Sequence, residues 1–115
     1  MRAYEAAFVG AICFRFPELM PQLQEHIDDY DGLLPHVFMG DVTRWVLQRF
    51  HDDPSDLTVR QVLDFIETAF ERATGEEREI VGTSFLENLP RPGEEDDGVR
   101  ALLGTALQNQ LHEIG

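Results

Sequence analysis

Apolar residues recur at three- and four-residue spacing along almost the whole chain, and no stretch alternates apolar with polar residues as a half-buried strand does. The pattern predicts six helices. The first covers about residues 3–15, with Tyr4, Phe8, Val9 and Ile12 on one stripe, and Phe16-Pro17 ends it because the residue before a proline is pushed out of the helical region. The second runs from Pro17 to Tyr30 with Leu19, Leu23, Ile27 and Tyr30 on one face, and Asp28, Asp29, Asp31 and Gly32 supply the turn after it.

Pro35 suits the first turn of a third helix reaching about Phe50, with Phe38, Val42, Trp45, Val46 and Phe50 inward and Gly40-Asp41 as a potential break. Ser55 is a good N-cap for the fourth, in which Val59, Val62, Leu63, Ile66 and Phe70 face inward and which ends near Gly75. A fifth carries Ile80, Val81, Phe85 and Leu89 up to Pro90, and a sixth carries Val99, Leu102, Leu103, Ala106, Leu107 and Leu111. Pro90 to Asp97 is the only linker-like stretch.

These elements make one all-α domain over residues 1–115, a mainly antiparallel bundle of five or six helices. Its expected core is Phe8, Ile12, Phe38, Trp45, Val62, Ile66, Phe85, Leu103 and Leu107. Val59-Arg60-x-x-Leu63 returns as Val99-Arg100-x-x-Leu103, 40 residues later. That offset lies in the HEAT range of about 40–47 residues and favours HEAT-like stacking of the last three helices.

Composition adds a class but no activity. Hydrophobic residues make up 43% of the 115 and charged ones 27%, as in a folded globular domain. No apolar run approaches the roughly 20 residues of a membrane span, and Met1 to Phe16 has no basic segment leading to a cleavage site, so a cytoplasmic location is the expectation.

Charge changes the picture further. Nine arginines and no lysine face 22 carboxylates, for a net charge of −13. Direct contact with nucleic-acid phosphate is disfavoured, and a basic protein becomes the natural partner. Residues 51–115, with five arginines and fifteen acids, carry −10 of that charge.

No chemistry-bearing motif completes itself. If Gly32 takes the sixth place of a calcium loop, Ile27 and Phe38 fall where the first and last ligands belong. Gly82-Thr83-Ser84 begins a nucleophile elbow, but Leu86 replaces its closing glycine and no strand precedes it. Cys13 lies between Ile12 and Phe14 with no base nearby and reads as a buried, inert thiol. His26, His36, His51 and His112 form no chelating pair on one helix, and His51-Asp52-Asp53 at a helix end diverge, so neither a metal nor another cofactor is expected.

Four acidic runs lie between the predicted helices: Asp28-Asp29-x-Asp31, Asp52-Asp53-x-x-Asp56, Glu76-Glu77-x-Glu79 and Glu94-Glu95-Asp96-Asp97. Capping and solubility account for part of this charge. In an antiparallel bundle the second and fourth runs share one end, where Asp52, Asp53, Asp56, Glu94, Glu95, Asp96 and Asp97 would form a rim against only Arg49 and Arg91.

The strings Leu33-Leu34-Pro35-His36-Val37-Phe38-Met39-Gly40-Asp41 and Ser84-Phe85-Leu86-Glu87-Asn88-Leu89-Pro90 resemble those of an uncharacterised family of small acidic bacterial proteins. That resemblance covers most of the chain and implies no activity, ligand or catalytic residue. In size, acidity and helical character the sequence is also similar to immunity proteins that neutralise bacterial toxins. The expected function is therefore non-catalytic: an interaction module, of immunity type, that docks a basic partner such as a toxin through the rim. Two alternatives belong to other classes. One is a small enzyme or metal-dependent protein with a site assembled from His36, Asp41, His51 and Trp45; the other is a homo-oligomeric structural protein that associates through an apolar helix face.

Overall fold

Prolines and caps divide the chain into its helices, and the computed structural model describes them over residues 1–114. Helix α1, Ala3–Arg15, opens with the Glu5 carboxylate accepting from the Arg2 amide at 2.7 Å. Phe16 leaves the helix, and Pro17 begins a 3-10 turn, Pro17–Leu19, that runs straight into α2, Met20–Tyr30. Asp31 closes α2 in the left-handed region at φ 54°, a place more often given to glycine, and the Gly32 amide donates to the Ile27 carbonyl at 3.1 Å.

Helix α3, Pro35–Asp52, passes through Gly40-Asp41 without a break. Helix α4, Leu57–Arg72, starts one residue later than expected, since Asp56 is the cap, accepting from the Thr58 amide at 2.7 Å. Ser55 instead donates through its hydroxyl and its amide to Asp53. Helix α4 also stops short of Gly75, which turns the chain at φ 54°.

The fifth and sixth predicted helices are each interrupted. The fifth is a wide π turn, Glu79–Thr83, followed by the single turn α5, Ser84–Leu86. Gly82 in that π turn lies so close to Phe70 that a Cβ would stand 2.4 Å from the ring. The sixth divides into a 3-10 stretch, Asp97–Leu102, and α6, Thr105–Ile114. The break has a tertiary cause, because the Glu67 carboxylate on α4 accepts from the Ala106 and Leu107 amides at 3.0 and 2.9 Å and so caps a new helix start.

The result is all-α, with no strand among the described residues. Helix α3 packs on α1, α2, α4 and α5, while α4, the π turn and α6 pack on one another. Eight of the nine expected core residues are buried; Trp45 is only half-buried and lies under the Arg49 guanidinium, 5.1 Å from its ring. Phe16, Leu19, Met39, Ile80, Leu86 and Val99 are among the other residues of that core. No described helix is long and apolar enough to cross a membrane.

Candidate functional site

The end of α3 and the segment before the 97–102 turn meet at His51. Its Nδ1 lies 3.1 and 3.2 Å from the two Asp96 carboxylate oxygens and 3.4 Å from Glu95 Oε1. The bond to Asp96, then the charges of Asp96, Glu95 and Asp52, raise the His51 pKa above its ordinary value. An imidazolium here also sits in the last turn of α3, where the helix dipole favours it. Two acidic runs far apart in the chain are thereby drawn to one edge.

Within that edge the seven carboxylates have different duties. Asp52, Asp53, Glu94 and Glu95 are exposed, although Asp52 accepts from Gln48 and Asp53 shapes the turn through Ser55. Asp97 is half-buried and accepts from the Gly93 amide at 2.7 Å, and Glu94 accepts from the Arg91 amide. Asp56 faces inward: burial pushes its pKa up, but the Thr58 amide and the Arg49 guanidinium, whose Nε is 3.0 Å away, outweigh burial and hold the carboxyl below the usual range. The outward face of the rim is therefore Asp52, Asp53, Glu94 and Glu95.

A shallow groove of about 430 Å³ lies beside it, lined by Arg44, Leu47, Gln48, His51, Glu95 and Asp96. One ligand atom from each of His51, Glu95 and Asp96 falls within 4.8 Å of the others. Sequence neighbours Asp52 and Asp53 are not the residues that converge on His51; two acids more than 40 positions away are. Nothing in the local spacing signals that meeting.

His36, Asp41, Trp45 and His51 are strung along α3, and the fifteen steps from first to last span roughly 22 Å. Each has its own neighbours. The His36 ring lies between two partners, with Nε2 2.8 Å from Glu5 Oε2 and Nδ1 2.6 Å from the Ser84 hydroxyl. The Arg2 amide and then His36 hold Glu5 below the usual carboxylate range.

In connectivity this is the order of a hydrolase triad, yet Ser84 is 3% exposed and does not line the small groove beside His36. With the hydroxyl enclosed, the chain of bonds ties α1, α3 and α5 together. Asp41, further along α3, pairs with Arg44 and with His26, whose Nδ1 is 3.1 Å away. His26 was not singled out by its sequence position. It is buried, and its Nε2 accepts from the Leu34 amide at 3.0 Å, so it caps α3 from α2.

Comparison with known proteins adds one relationship. Residues 10–114 match the model of the family described as Domain of unknown function (DUF7674). No curated protein and no solved structure matches the chain.

Proposed function

Since the chain belongs to this family of unknown function and takes no activity from it, we propose from its own surface that it is a non-catalytic protein-interaction module that docks a basic partner on the 52–53 and 94–95 rim. The observation that carries the reading is the meeting of His51 with Asp96, which joins two acidic turns into one edge. In a molecule of net charge −13, that edge adds a local concentration of carboxylates to a long-range field that already steers cations inward.

An inhibitor of immunity type fits this reading. A nuclease toxin must carry a basic active site to hold phosphate, and a carboxylate edge can occupy such a site in place of the nucleic acid. The experiment is recovery of a partner from the native host at low salt, followed by binding kinetics on neutralised variants. Asp52→Asn, Asp53→Asn, Glu94→Gln and Glu95→Gln together should slow association and flatten its salt dependence. The same neutralisation of Asp28, Asp29, Glu76 and Glu77 should do much less. Equal loss from both sets, or from neither, overturns the rim as the site.

One observation favours association of like chains as a second reading. Apart from Arg15 at its end, the outward positions of α1 are Ala3, Ala7, Gly10, Ala11 and Phe14, with no charge among them, and Phe14 is 90% exposed. A helix apolar on both sides is unusual for one that faces water. Light scattering at rising concentration tests this: Phe14→Glu should abolish any mass increase, and a wild-type mass that never rises above the monomer's ends the reading.

A further inference from the structure

A cleft lies between α5, the turn after it, the 3-10 stretch and α6, and adjoins the acidic rim at Arg91, whose amide donates to Glu94. It encloses about 480 Å³, within the roughly 300–1,000 Å³ of ordinary ligand pockets. Its apolar floor is Leu86, Leu89 and Leu111, each almost wholly buried, and the exposed side chain of Ile114 adds an apolar edge. Two arginines, Arg91 and Arg100, line the same cleft.

Among the described residues Arg2, Arg44 and Arg49 form ion pairs, while Arg91 and Arg100 are among the six arginines that do not; what sets these two apart is that they line one cleft. Arg100 donates from one guanidinium nitrogen to the Pro90 carbonyl at 3.0 Å, which holds its head at the cleft and leaves other donors of the fork free. A guanidinium is weakly hydrated and suits a place beside apolar surface, where its bond to an anion is strengthened.

We propose that this cleft binds a small amphipathic carboxylate, with its aliphatic chain against Leu86, Leu89 and Leu111 and its anionic head on Arg91 and Arg100. The apolar floor requires the chain, and the two unpaired guanidiniums require the charge. Glu87 also lines the cleft, and together with the net charge of −13 it opposes a dianion, so a single negative charge is the better match.

The probe is decanoate below its micellar range, with decanol and decylammonium as chain-matched comparisons, followed by titration calorimetry and by amide chemical shifts. Decanoate should bind at least about tenfold more tightly than decanol, and decylammonium should bind weakest. Arg91→Gln is the first variant, because Arg91 is exposed and its side chain supports nothing in the fold; Arg100→Gln is the second, checked for an unchanged circular dichroism spectrum. Each should weaken decanoate and leave decanol as it was. Shifts should centre on residues 86–91, 100 and 111. Absent decanoate binding, equal affinity for decanol, shifts elsewhere, or decanoate affinity indifferent to Arg91→Gln would each overturn the proposal.

Discussion

His51 Nδ1 stands 3.1 Å from Asp96 Oδ2, and this contact between the last turn of α3 and a residue 45 positions later joins the two acidic runs. The His51 pKa is raised in the fold, chiefly by Asp96. Its contribution to stability is therefore fully present below the unfolded value of about 6.5 and is lost as pH rises through the folded value. A proton NMR titration should place the His51 midpoint above 6.5, and Asp96→Asn should lower it. Denaturation at pH 6 and pH 9 should show that Asp96→Asn destabilises more at the lower pH; an equal effect at both would contradict the charged pair.

Asp56 gives a dependence of opposite sign. Its folded pKa lies below the ordinary aspartate value of about 3.9, so the stability it adds is present above that value and disappears as pH falls through the folded one. Asp56→Ala should cost about 0.5–2 kcal/mol at pH 7, as lost N-caps do, and noticeably less near pH 2. Urea denaturation at the two pH values measures both figures.

Glu67 and Gly104 form a lock between α4 and α6. Glu67→Ala leaves the Ala106 and Leu107 amides without their acceptor and should cost about 1–3 kcal/mol. A Cβ at position 104 would stand 2.5 Å from the Glu67 carboxyl carbon, so Gly104→Ala must displace the cap and should fray α6 in hydrogen exchange. Combined, the two changes should cost less than their sum, because each removes the same bonds.

Burial pushes the Cys13 thiol up to about 11. At pH 8 the native protein should react with iodoacetamide far more slowly than the same protein in denaturant, since the thiolate is both scarce and enclosed. Comparable rates in the two states would show that α1 opens from the core.

Helix identity was readable wherever an amphipathic stripe met a local stop, as at Phe16-Pro17, Pro35 and the Val59 to Phe70 stripe. Those signals depend on neighbours within a turn of one another, and the backbone obeys them at short range. The two interruptions could not be read. The π turn depends on Gly82 lying against Phe70, and the break before α6 depends on Glu67, which reaches it from 39 residues upstream. Trp45 shows the same limit on a single side chain. Its helical position points inward, yet the Arg49 guanidinium lies over its half-buried ring at the edge of the core.

Among the site residues, the sequence by itself determined the charge, its concentration after residue 50 and the absence of a locally complete catalytic motif, because these are properties of composition and spacing. Only the tertiary structure decided which acids meet. It turned Asp56 inward to Arg49, left Asp52, Asp53, Glu94 and Glu95 facing water, and brought Asp96 to His51. It also linked Glu5, His36 and Ser84, and seated His26 beneath α3. Long-range pairs of this kind are set by how helices pack, and packing depends on side chains from every element at once.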